Sequence, residues 1–145
     1  MAIMRQLNYI TVVIFLSVFF LFSSCSKNNS TPGVDQKPSL TFTTLNGYVS
    51  TDATLGISSP FKVGLWAASN TNSAAKLTRL TVRRVFNNNT ISNDTTFSTS
   101  ALHLDINATS NSGMGKEKWY FRITDDKNQY RELSLTITTI VTLGK

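Results

Sequence analysis

Apolar side chains recur at every second position in short runs along most of the chain, and this period restricts the fold more than any other feature. Phe61, Val63, Leu65 and Ala67 alternate with Lys62, Gly64 and Trp66, and Leu102, Leu104 and Ile106 alternate with His103 and Asp105. Trp119, Phe121 and Ile123 alternate with Lys118, Tyr120 and Arg122, and Leu133, Leu135 and Ile137 with Ser134 and Thr136. A helix would bring its apolar residues together at spacings of three and four; a period of two puts them on one face of a strand. Leu77 to Phe86 and Leu40 to Thr44 add a long and a short strand, and Thr-rich Ile91 to Thr99 adds an edge strand. Between the last two alternating runs, Asp125, Asp126, Lys127 and Asn128 form a polar turn of hairpin length. No window carries a capped helical stripe. The spacing predicts about seven antiparallel strands over residues 39–145, the pattern of an all-β sandwich.

The first 38 residues do not follow this pattern. Arg5 and the amino terminus precede the apolar run from Ile10 to Phe22, and the small residues Ser23 and Ser24 lead to Cys25. This is the three-part layout of a secretory signal. As a helix the 13-residue run would be about 20 Å long, while a bilayer core is about 30 Å thick, so spanning is the less comfortable reading. An uncleaved membrane anchor is the alternative if the segment is counted from Leu7 to Ser24. Leu21, Phe22, Ser23, Ser24 and Cys25 resemble the lipobox of bacterial lipoproteins, with Phe22 at the position where an aliphatic residue usually stands. The resemblance implies cleavage before Cys25, a thioether-linked diacylglyceryl group on its sulfur and acylation of the new amine. Two or three acyl chains hold a membrane stably where one does so marginally. Ser26 after the lipidated position implies delivery to the outer membrane of a Gram-negative bacterium, on its periplasmic or its outward face. Ser26 to Pro38, with Val34 as its one aliphatic residue, reads as a flexible spacer. The expected organisation is therefore a signal peptide at 1–24, a lipidated cysteine and linker at 25–38, and a sandwich at 39–145.

The strand order, with the Trp119 strand followed by a closing hairpin, resembles immunoglobulin-like domains of lipid-anchored envelope proteins. The chain has a single Cys, so the paired core cysteines of the antibody type are absent and apolar packing must hold the sandwich together.

The inventory for catalysis is thin. His103 is the only histidine and lies on the polar phase of its strand; Cys25 is assigned to lipid; no Ser stands in a GxSxG or SxxK setting. Asp125, Asp126 and Asn128 could supply oxygen ligands to calcium, but they lack the glycine and bidentate Glu of an EF-hand, and a turn explains them more simply. Glu117 and Glu132 read as surface partners for nearby cations. The expectation is no enzyme, no cofactor and no metal.

Binding is the remaining class. The net charge is +6, and Arg79 and Arg83 share one strand face by period two, with Arg84 on the other and Lys116, Lys118 and Arg122 on a second strand. No recognition helix or RNP-like aromatic motif is present, so nucleic acid is not expected. Anionic headgroups or an acidic polysaccharide suit a tethered cationic sheet. Trp66 and Tyr120 fall on the phase opposite the aliphatic residues and would be outward platforms for a ligand; packing of Trp66 in the core is the commoner fate of a sandwich tryptophan. Asp94, Thr95 and Thr96 resemble a short periplasmic O-glycosylation acceptor. The reading is a lipid-anchored binding or structural module of the cell envelope without catalysis. The alternatives are an accessory subunit or inhibitor of an envelope enzyme, or a carbohydrate-binding module. The sequence leaves the oligomeric state open.

Overall fold

A computed structural model describes residues 36–71 and 73–141, so Cys25, the signal segment and most of the expected linker lie outside the described residues. Eight strands and no helix are present among them: β1 (Ser39–Phe42), β2 (Ala53–Gly56), β3 (Pro60–Ala68), β4 (Leu77–Phe86), β5 (Asn89–Thr99), β6 (Ala101–Thr109), β7 (Gly115–Asp125) and β8 (Tyr130–Ile140). They form two sheets, one ordered β1-β3-β6 and the other β2-β8-β7-β4-β5. The molecule is an all-β sandwich of immunoglobulin-like layout.

The alternating residues of both sheets meet between the layers. Phe61, Val63, Leu65 and Ala67 of β3 face Leu77 and Leu80 of β4, Trp119, Phe121 and Ile123 of β7, and Leu135 and Ile137 of β8; all are buried. Aromatic rings lock the layers edge to face. Phe42 meets Phe121 with centroids 5.7 Å apart, and Phe61 meets Trp119 at 5.5 Å, in the geometry that ring quadrupoles favour. Pro38 is also fully buried, and its carbonyl accepts a hydrogen bond from Arg131 Nε.

Seven of the strands stand where the alternation places them. The eighth, β2, corrects the count, and it also corrects the expectation of a wholly antiparallel fold, because it runs parallel to β8 with Ala53 opposite Ile137. Four residues between Ser- and Thr-rich stretches are too few to display a period. Its entry is fixed by Asp52, whose Oδ1 accepts the Thr136 N–H at 2.7 Å.

The turns follow from local chemistry. Asn87 and Asn88, both at positive φ, join β4 to β5 in the two-residue form that matches strand twist. At the β7–β8 turn, Asp125 Oδ1 accepts the N–H groups of Lys127 and Gln129 at 2.9 and 2.8 Å, and Asn128 takes the left-handed conformation. The Asp125 cluster is thus a turn. Between β5 and β6 the chain passes from one sheet to the other through Ser100 alone.

Candidate functional site

The register places cations on the outer face of the five-stranded sheet in a regular order. Cross-strand partners point to the same side, and β4 pairs with β7 as Arg79 with Thr124, Thr81 with Arg122, Arg83 with Tyr120 and Val85 with Lys118. Lys116 follows in the next outward row, opposite Thr138. Each of five successive rows thus carries one cation: Arg79, Arg122, Arg83, Lys118 and Lys116. Outward rows on a strand are about 6.8 Å apart, so the column is about 27 Å long. A one-residue irregularity in β4 between Leu77 and Arg79 turns Arg79 outward while Leu77 stays inside.

Tyrosines lie between these cations. The Arg83 guanidinium is 3.9 Å from the centre of the Tyr120 ring, with Lys118 Nζ at 5.2 Å, and Arg122 lies 4.4 Å from the centre of Tyr130. Guanidinium planes on aromatic faces are held in place by the ring quadrupole. Two carboxylates share this face: Glu132 bonds Arg122 Nε at 2.9 Å, and Asp94 sits opposite Thr81. Both belong to the same row. Arg79 and Arg83 therefore share one face, and the register brings Tyr120, Arg122, Lys118 and Lys116 to it.

Trp66 is not part of that group. It lies on the outer face of the other sheet, 55% exposed, which corrects the expectation that a sandwich tryptophan packs inside. The interior beneath β3 is already filled by Val63, Leu65 and Ala67, so the phase of the strand decides. The Trp66 ring is tilted against His103 at 4.7 Å, and His103 Nε2 lies 3.2 Å from Thr43 Oγ1 and 3.6 Å from Asp105. The Tyr48 hydroxyl donates to Asp105 at 3.0 Å, and this bond to a carboxylate raises the phenol above its ordinary value of 10. Tyr48 reaches that position by lying across Gly64, where any side chain would collide with it and with Thr43.

A third feature lies between the sheets. Glu117 is not a surface partner: its side chain is wholly buried and accepts from Arg84 Nε at 2.6 Å, while Arg84 is 25% exposed and stands 5.3 Å from the Trp119 ring centre. Sequence reasoning missed this pair. The signal was available, because Glu117 shares the inward phase of Trp119 and Phe121, and Arg84 shares that of Leu80 and Val82. Beside the pair a lateral cleft of about 520 Å³ opens between β5 and β6, lined by Leu80, Val82, Arg84, Asn93, Leu104, Ile106 and Trp119 among others. Among the described residues no three His, Cys, Asp or Glu side chains converge as a metal site.

No protein-family model and no curated protein matches the chain. Among solved structures, it is similar to the superoxide reductase (neelaredoxin) from Ignicoccus hospitalis, with 9% identity over 72% of this chain and 80% of that one and a TM-score of 0.47. A variant of the same reductase gives 10% identity over 72% of this chain and 81% of that one, with a TM-score of 0.48.

Proposed function

We propose that the chain is a lipid-tethered module of the Gram-negative outer membrane that binds without catalysis, and that it holds an acidic polysaccharide on the outer face of its five-stranded sheet. The observation carrying this reading is the column of one cation per row from Arg79 to Lys116. A column about 27 Å long exceeds the reach of a single lipid headgroup and suits a linear polymer with repeated anionic groups. Tyr120 and Tyr130 act as rests for the cations rather than as open platforms. Because Arg83 already rests on the Tyr120 ring, less rotamer freedom is lost when it meets a ligand carboxylate. Membrane attachment falls to Cys25, through the lipid implied by the lipobox resemblance.

The test uses the full chain in detergent with polygalacturonate as ligand and uncharged dextran as control. Binding to polygalacturonate that weakens with added salt, and at least tenfold loss in an Arg79→Glu/Arg83→Glu double variant with unchanged circular dichroism, supports the reading. Equal binding of both polymers, or none of either, sinks it. Mass spectrometry of the membrane-extracted protein checks for an acylated amino-terminal Cys25.

Exposure of Trp66 beside His103 favours a second reading, an uncharged carbohydrate stacked on the three-stranded sheet. It predicts quenching of tryptophan fluorescence by dextran that Trp66→Ala abolishes and the double Arg variant leaves intact.

A further inference from the structure

One long strand is left with an unpaired edge beside the cleft of mixed lining. In the pairing of β3 with β6, Ser69 N–H donates to Ser100 O and Ser110 N–H donates to Ser59 O, which fixes the even-numbered residues of β6 as those bonded to β3. The odd-numbered ones therefore direct their N–H and C=O groups away from the sheet. At Ala101 these outward groups are capped by the Thr99 hydroxyl, which donates to Ala101 O at 2.8 Å and accepts from Ala101 N at 3.4 Å. His103, Asp105, Asn107 and Thr109 have no such cap among the described residues, and their edge forms one wall of the cleft, which is lined by every residue from Leu104 to Thr109.

The opposite wall is β5, carried past the edge of β6 by the larger sheet. Ile91 lies on the inward phase, opposite Arg84, yet is 58% exposed because no strand lies beneath it. The chain crosses directly from β5 to β6 through Ser100, and none of the described residues pairs with the outer edge of β6. Arg84 stands at the Thr109 end of this place, where the cleft meets a second hollow lined by Thr109, Ser110 and Asn111. Its Nε and Nη2 are engaged by Glu117, while Nη1 has no hydrogen-bond partner among the described residues.

We infer that this slot takes an extended segment of a partner polypeptide, which pairs with the free edge of β6 as a fourth strand and lies under β5. Strand addition supplies main-chain hydrogen bonds, and the pockets beneath alternate side chains supply selectivity. Pairing from His103 to Thr109 requires about seven residues, at one neighbour spacing of about 4.8 Å. Side chains beside Leu104 and Ile106 point into the cleft, where Leu80 and Val82 of β4 and Asn93 and Thr95 of β5 line it, so uncharged, mainly apolar side chains suit these places. The inward side chain at the Thr109 end meets Arg84 and is acidic. A second copy of this chain does not fit, because its own projecting β5 would need the space already taken by the first copy's β5. The inference does not depend on the polysaccharide reading, which concerns the opposite side of the larger sheet.

The probe is a phage-displayed library of seven-residue segments with Thr at alternate positions and the rest randomised, selected against the full chain in detergent. Enrichment of two apolar residues followed or preceded by an acidic one is expected. A synthetic peptide of the enriched sequence should slow amide exchange at 103, 105, 107 and 109 at least tenfold and leave 104, 106 and 108 unchanged. Exchange of its acid for Lys, N-methylation of its pairing amides, or Asn107→Pro in the protein should each weaken binding at least tenfold. Pro at 107 removes an outward N–H and leaves the pairing with β3 intact; the N-methylated peptide gives the same information with the protein unaltered. No enrichment, protection elsewhere, insensitivity to N-methylation, or a concentration-dependent dimer that protects β6 overturns the inference.

Discussion

The guanidinium of Arg84 reaches inward to Glu117, 2.6 Å from a carboxylate with no solvent-exposed side-chain area. Bringing both charges out of water is costly, and their attraction offsets that cost only while both are present. Arg84→Met alone should therefore lower stability by about 3–5 kcal/mol, since it strands a buried carboxylate. The double variant Arg84→Met/Glu117→Leu should recover most of the loss. Urea denaturation of the three proteins checks this, and a double variant no better than the single one would show that the pair has no coupled role.

Gly64 lies beneath Thr43 and Tyr48, and a Cβ there would stand 2.6 Å from Thr43 Oγ1 and 2.8 Å from Tyr48 Cε1. Gly64→Ala should destabilise the sandwich by about 1–3 kcal/mol, the usual cost of forcing an extra carbon into packed space. Because Tyr48 is one of the displaced side chains, its bond to Asp105 should weaken as well. Thermal melts report the first effect and a tyrosine titration the second.

The Tyr48 hydroxyl bonds the Asp105 carboxylate, which favours the protonated phenol and raises its ionisation above the ordinary value of 10. A group whose folded value is raised stabilises the fold fully below the unfolded value and ceases to do so as pH climbs through the folded one. The contribution is thus present at neutral pH and disappears only in alkali above 10. Ultraviolet titration should show one tyrosine ionising later than in the unfolded chain. Asp105→Asn should bring that tyrosine back down, whereas an unchanged late phase would assign it to a different residue.

Trp66 lies on the outside of its sheet, so Trp66→Ala should change stability by no more than about 1 kcal/mol, as for most surface substitutions. Trp119 is 7% exposed and packs on Phe61, so Trp119→Ala should cost about 3–5 kcal/mol. Red-shifted, readily quenched emission from a Trp119→Phe variant would report Trp66 alone. Emission typical of a dry interior would contradict its placement.

The layers of this fold were legible because its interior is built from period-two runs long enough to show themselves. β3, β6, β7 and β8 each present at least three core or core-flanking residues on one phase, β4 presents Leu80 and Val82 on one phase and Leu77 on the other because of its irregularity, and even Thr-rich β5 could be located at the edge. β2 has four residues, and its pairing depends on Asp52 reaching across to Thr136, a relation between distant positions. The cationic column was half visible: Arg79 and Arg83 share a strand, but Arg122 and Lys118 join them only through the register of β4 on β7. Trp66 shows that strand phase outweighs the general habit of tryptophan. Glu117 shows the same rule ignored, since its phase places it inside and its charge suggested otherwise. The free edge of β6 could not be read beforehand, because it depends on which strands fail to become neighbours.

Ser100, the sole residue between β5 and β6, ties the sheets together at one corner. The Thr109 end is tied as well, because residues 57–59 join β2 to β3, residues 110–114 join β6 to β7, and Ser110 Oγ donates to Gly56 O at 2.6 Å. With short connections at both ends, whatever enters the gap between β5 and β6 comes in through its open flank, side-on rather than end first.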